Sequence, residues 1–194
     1  MDPVSDNALM LKVKEGDTDK MGLLYERYYR ELFRFIFKMT MQKELSEDMV
    51  QNIFLRMLKY RKGFTGTGEF RTWMYHVARN VLYDDFKSRK RTPTQNSLQL
   101  ENLKEKLVTY ETNDEAGEKQ VELKRLEMAI ERLSIENREL LVLCRFQDMK
   151  YSEIATLLDI SEGAVKVRIH RAMNQLKAYY FETDKTKAYG MPVL

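Results

Sequence analysis

The sequence predicts an all-α protein built as two small helical domains joined by a flexible linker. Three observations carry that expectation. Only three prolines and eight glycines interrupt 194 residues rich in Leu, Met, Lys and Glu, all good helix formers. Apolar residues recur at steps of three and four over most of the chain, the period of a helix with one buried face. That period lapses across residues 92–119, "TPTQNSLQLENLKEKLVTYETNDEAGEK", a polar stretch whose only aromatic residue is Tyr110.

Helical spacing is first clear between Asp17 and Lys62, where Leu24, Tyr28, Leu32, Phe35 and Met39 share one face. The next run, "SEDMVQNIFLRMLKY", opens on Ser46 as the expected N-cap, with Glu47 and Asp48 in the first turn. Its apolar set is Met49, Val50, Ile53, Phe54, Met57 and Leu58. "RKGFTGTGEF" comes after it, and Gly63, Gly66 and Gly68 within six residues make it a loop. A further helix starts in "EFRTWMYHVARN" and continues through "VLYDDFKSRKR". Phe70, Trp73, Met74, Val77 and Val81 form its apolar stripe, which assigns the single tryptophan to the core. Arg71, His76, Arg79 and Asn80 are left as candidates to face a nucleic acid.

Periodicity returns in "QVELKRLEMAIERL", with Leu123, Leu126, Ile130 and Leu133 on one side. "ENRELLVLCRFQ" and "YSEIATLL" are two more helices, and the turn "DIS" leads into "EGAVKVRIHRAMNQLKAYYF". The last two form a helix-turn-helix. Ala155 is small where two helices cross; Ile154, Leu157, Leu158 and Ile160 surround the turn; Ser161 caps the second helix. Val165, Ile169, Ala172 and Leu176 define the buried stripe of that helix. At ~100° per residue Val167, His170, Arg171 and Asn174 fall opposite it, with Lys166 and Arg168 on the flanks. Such a face carries donors for phosphates and base edges.

Charge supports a polyanionic partner. Residues 20–91 hold sixteen basic against eight acidic side chains, cresting in "KSRKR", Lys87 to Arg91, whereas residues 1–19 hold two against five. Other classes are disfavoured. No Ser/His/Asp or Cys/His set and no phosphate-cradling loop with its lysine is present, so no enzyme is expected. Two distant histidines and one cysteine, Cys144, argue against a metal site, and no cofactor is expected. The lone cysteine, the missing apolar span and the acidic N-terminus point to the cytoplasm.

Four strings, "LYERYYRELFRFIF", "LSEDMVQNIFLRMLKY", "GFTGTGEFRTWMYHVARNVLYDDFKSRKR" and "LSIENRELLVLCRFQDMKYSEIATLLDISEGAVKVRIHRAMNQLK", together resemble the extracytoplasmic-function (ECF) branch of bacterial sigma factors over roughly residues 6–178. The resemblance implies a promoter-specificity subunit of core RNA polymerase. Residues 6–91 then bind core and the −10 element, 92–119 are the linker, 120–178 read the −35 element in duplex DNA, and 179–194 are a C-terminal tail. It implies core-polymerase contacts at Asp48, Gln51 and Arg56, with Asn52 standing where the family often carries an acidic residue. It implies −10 contacts at Phe64, as an exposed stacking ring, and at Arg71, His76, Arg79 and Asn80. It implies −35 contacts at Lys166, Val167, Arg168, His170 and Arg171, with Val167 in place of a small polar residue common in relatives. An anti-sigma factor, often membrane-anchored in the family, is a further implied partner. The rival class is a stand-alone helix-turn-helix regulator. It accounts for residues 120–177 and leaves the "SEDMVQ" helix and the glycine-rich loop without a role.

Overall fold

The computed structural model describes residues 4–91 and 115–188, all of whose regular elements are helical. The first helix, α1 (Asp6–Glu15), is one the apolar spacing did not announce. Its ends are set locally: Ser5 Oγ accepts from the Ala8 amide at 3.3 Å, and Gly16 closes it with a left-handed φ of 118°. Leu9, Met10 and Val13 are buried. The polar side of α1 reaches residues far along the chain. Asn7 accepts from the Phe70 amide (2.7 Å) and donates to the Gly68 carbonyl (2.9 Å), while Lys14 Nζ donates to the Phe64 carbonyl (2.7 Å). One short helix thereby holds both ends of the glycine-rich loop.

Helix α2 (Lys20–Thr40) buries Leu24, Leu32, Phe35 and Met39 on the expected face and packs on α3 (Lys43–Lys59). Ser46 is not the N-cap. The helix begins one turn earlier, and Ser46, fully buried, donates to the Gln42 carbonyl four residues back and meets Thr40 Oγ1 at 3.0 Å. A 3₁₀ turn (Arg61–Gly63) and the loop lead to α4 (Phe70–Arg91). Its buried side is Phe70, Met74, Tyr75, Ala78, Val81 and Leu82, whereas Trp73 and Val77 are half-buried. The face is rotated from the expected stripe because Tyr75 has a half-buried partner: its hydroxyl donates to Glu31 Oε1 at 2.9 Å. Burial, and then the charge of Glu31, push the Tyr75 phenol far above its ordinary pKa.

Beyond residue 114 come α5 (Glu115–Glu131), α6 (Ile135–Leu141), a π-helical turn (Val142–Phe146), α7 (Tyr151–Leu158) and α8 (Glu162–Ala188). Helix α5 begins inside the span expected to be linker; residues 92–114 of that span lie outside the described residues. Ile130 and Leu133 are buried as expected, but Leu126 is half-buried and Leu123 is 60% exposed. The first ten residues of the tail continue α8, and 189–194 lie outside the described residues.

The compact units do not follow chain order. The chain up to Ser88 forms one with Val142–Val165; Arg89–Leu141 forms the other with the chain from Lys166 onward. Within the second, Asn137 donates to Gln175 Oε1 (2.6 Å), and Arg132 pairs with Glu182 (2.7 Å) while lying 4.3 Å over the Tyr179 ring. Tyr179, the first residue of the tail, thus lies within α8 and packs against Arg132. Among the described residues no helix is long and apolar enough to cross a membrane.

Candidate nucleic-acid interface

The recognition helix presents what its sequence promised. Asp159, in the left-handed region at φ 53°, ends α7, and the Ile160 amide returns to the Ala155 carbonyl at 3.1 Å, making a tight turn. Ser161 Oγ caps α8 by accepting from the Ala164 amide at 3.2 Å. Val165, Ile169 and Ala172 are buried, and Lys166, Val167, Arg168, His170 and Arg171 are all exposed. Val167, at 50% exposure, is an apolar spot among cations, suited to a thymine methyl. Asn174 Nδ2 lies 3.4 Å from His170 Nδ1; an amide donor there matches the tautomer that carries its proton on Nε2.

The five residues expected at the −10 side do not share one surface. Phe64 is 2% exposed, edge-on to Trp73 (5.3 Å) and Phe70 (6.3 Å). It is a core residue in this structure, not an exposed stacking ring, because Lys14 and Asn7 draw the loop down onto α1 and α4. The loop instead exposes Thr65 and Thr67, whose hydroxyls meet at 2.8 Å, on a backbone turned by Gly66 at φ 77°. A Cβ at Gly66 would meet the Leu11 side chain at 3.2 Å, so glycine suits the site twice over.

Arg71 lies nine residues before Asn80, which at 3.6 residues per turn is half a turn around α4. It therefore points away from Asn80, donating through Nε to Glu31 at 2.7 Å and through Nη2 to the Gln147 carbonyl. Burial opposes its charge, but the bond to Glu31 and that carboxylate's charge outweigh burial and raise its pKa. Arg79 stacks over Tyr83 at 5.5 Å and donates to the Leu157 carbonyl at 3.4 Å. Of the five, only His76 and Asn80 lie open on the shared outer face of α4, which continues through Asp84, ion-paired to Arg56, to Lys87. Partial burial, then the charge of Arg79, hold His76 below the ordinary imidazole range.

On α3, Asp48 and Gln51 are exposed as expected. Arg56 is turned aside into an ion pair with Asp84 of α4 at 2.6 Å. Leu55, which stands outside the expected apolar set of this helix, is 64% exposed and lies between Gln51, Asn52 and Lys59 on the same stripe. The 48–51–52–55–59 step is visible in the sequence. What hid its place there is that a single exposed leucine carries no functional signal of its own.

Comparison with known proteins completes the picture. Residues 24–92 match the family model for Sigma-70 region 2, and residues 123–176 match that for Sigma-70, region 4. RNA polymerase sigma factor YlaC of Bacillus subtilis is 27% identical, aligned over 82% of this chain and 91% of its own. ECF RNA polymerase sigma factor SigM of the same organism is 28% identical, over 81% and 93%. Among solved structures, CnrH in complex with the cytosolic domain of CnrY superposes with a TM-score of 0.66 at 23% identity, over 89% of this chain and 95% of that one. RpoE from Bartonella quintana, crystallised with the anti-sigma factor NepR, gives 0.60 at 18% identity, over 81% and 94%.

Proposed function

Since this chain belongs to the ECF branch of bacterial RNA polymerase sigma factors, we propose a division of work among its surfaces. The exposed stripe of α3, Asp48, Gln51, Asn52, Leu55 and Lys59, docks on core polymerase. Leu55 is its apolar centre and the others its polar rim, the usual anatomy of a protein interface. His76 and Asn80 on α4, with the threonine-bearing loop, meet the −10 element, and Phe64 is the floor beneath that loop. Lys166, Val167, Arg168, His170 and Arg171 read the −35 element in the major groove. Residues 6–91 and 120–178 are the corresponding modules. The protein works in the cytoplasm, where core polymerase is, and an anti-sigma factor holds it in reserve.

The observation that carries this reading is the order of the two matched regions along one chain, each with its own exposed polar face. A stand-alone regulator needs only the second region and leaves the first without a task.

Run-off transcription with purified core and a set of genomic promoters is the test. Promoter-dependent transcripts that core alone does not make are expected, together with co-elution of the chain with core. The absence of both would overturn the reading. Leu55→Ala is expected to weaken co-elution without lowering the melting temperature, because the side chain it removes is exposed.

A further inference from the structure

We infer that α1 is a template for the glycine-rich loop, and that Asn7, Leu11 and Lys14 are positioning residues for reading the −10 strand. The inference rests on the assignment of that loop to the −10 element. It adds a helix that lies ahead of residues 24–92, the stretch matched to region 2.

Asn7, Leu11 and Lys14 follow one another by four and three residues, which at ~100° per residue puts them within ~60° of each other around α1. They meet the loop in reverse order. Asn7 takes its far end, accepting from the Phe70 amide at 2.7 Å and donating to the Gly68 carbonyl at 2.9 Å. Leu11 lies under its middle, where a Cβ at Gly66 would come within 3.2 Å of the leucine side chain. Lys14 takes its near end, donating through Nζ to the Phe64 carbonyl at 2.7 Å. A second face of the helix holds it in place. Leu9, Met10 and Val13 are buried, and the Asp6 carboxylate accepts from Arg27 and from the Tyr28 hydroxyl of α2. With one face fixed to α2, α1 shapes the loop with the other.

Such a loop needs an outside frame. Gly66, at φ 77°, and Gly68 give its backbone wide freedom, and internal bonds such as the Thr65–Thr67 hydroxyl pair are local and exposed. Left untethered, it would have to be ordered at the moment a base enters it, and that loss of entropy opposes capture. Bound to α1, the loop is ordered in advance. Its sense is fixed as well. Lys14 draws the Phe64 carbonyl toward α1, the Phe64 ring settles against Trp73 at 5.3 Å, and Thr65 and Thr67 are left outward. Asn7 also takes the amide of Phe70, the first residue of α4, as an N-cap side chain would. The start of the helix that carries His76 and Asn80 is therefore set from α1 too.

The test uses holoenzyme assembled from core and the full chain, with a labelled single-stranded −10 oligonucleotide from a promoter that it transcribes. Fluorescence anisotropy gives the preference for that oligonucleotide over versions with each base replaced in turn. In Asn7→Ala and in Lys14→Met the preference is expected to fall by about tenfold, the size of one hydrogen-bonded contact. Lys14→Arg, which keeps a donor in that place, is expected to restore most of it. Co-elution with core and affinity for the −35 duplex are expected to hold. The melting temperature of Lys14→Met is expected to hold too, because methionine keeps the apolar stem of the lysine. Hydrogen exchange at the Phe70 amide is expected to rise severalfold in Asn7→Ala. Unchanged preference in both variants, or unchanged exchange, overturns the inference. So does equal weakening for every oligonucleotide with a salt slope smaller by roughly 0.7, which makes Lys14 a phosphate contact. Loss of core binding together with −10 binding also overturns it, since α1 then serves the fold of the whole first region. Wild-type run-off without any −10 preference is the separate result that overturns the assignment of the loop, and absence of run-off overturns the sigma-factor reading.

Discussion

Helices α4 and α8 both read, from sequence, as amphipathic helices with a nucleic-acid face. In α8 all five expected contact residues are exposed on one side. On α4 and its loop, one of the five is in the core, two are held by carboxylate and carbonyl partners, and two are open. The difference lies in how many neighbours each helix has. Early in α8 one stripe, Val165, Ile169 and Ala172, is buried with Ala164 and Met173 at its margins, so the opposite side faces solvent. Helix α4 begins against α1 and turns Tyr75 and Arg71 toward Glu31 of α2, so two sides are claimed before any ligand arrives. Spacing alone locates the outer face of a helix packed on one side; it does not do so for one packed on two.

The sharpest way to break this comparison is Phe64→Ala. A fully packed aromatic side chain costs ~3–5 kcal/mol on truncation to alanine, and the loop and the edge of Trp73 would lose their floor. Urea unfolding followed by tryptophan fluorescence is expected to show that loss, alongside weaker open-complex formation. An unchanged unfolding midpoint with lost promoter melting would instead mean that Phe64 leaves the core to stack on a base, and α4 would regain the reader that sequence assigned to it.

Arg171→Ala probes the other helix and should act in the opposite sense. Its side chain is exposed, so the melting temperature is expected to hold. Affinity for the −35 duplex is expected to fall by ~1–3 kcal/mol if the guanidinium makes a bidentate base contact. Fluorescence anisotropy with labelled duplex measures it, and equal affinity of the two proteins removes Arg171 from the readers. The pair of variants separates a residue that acts through the fold from one that acts on the ligand.

How much of the fold and site was legible in the sequence depends on the range of the forces involved. The all-helical class, the turn, the Ser161 cap and the exposed face of α8 depend on residues within a few positions of each other. Helix α1 was also written locally, in Ser5, Asp6 and Gly16, but its weak apolar period hid it. Ser46 failed as a cap because Thr40 and the Gln42 carbonyl compete for its hydroxyl, a choice settled by where α2 ends. Tyr75 joined the core and Arg71 left the outer face for one shared reason, Glu31, forty residues or more away in the chain. Leu55 ran the other way, an apolar residue kept outside, and only the packing of α2 on α3 shows which leucines have a neighbour.

The smallest expected effect concerns His76, which sits where the two claims on α4 meet. Its pKa is held down first by partial burial and then by Arg79, so the imidazole is neutral at pH 7. A histidine whose folded pKa lies below its unfolded value of about 6.5 makes the unfolded chain the better proton acceptor. Its stabilising contribution is complete above about pH 6.5 and is lost as pH falls from there through the folded value. The urea midpoint of the wild type should therefore drop slightly more between pH 7.5 and 5.5 than that of His76→Gln, and parallel profiles would exclude the linkage. Binding of the −10 strand carries the opposite sign. A phosphate beside His76 would offset Arg79 and favour the imidazolium, so the wild type should bind the strand more tightly as pH falls, and His76→Gln should not. If stability shifts and binding does not, His76 belongs with Arg71 among the residues α4 keeps for its own fold, and Asn80 is left as the reader on that face.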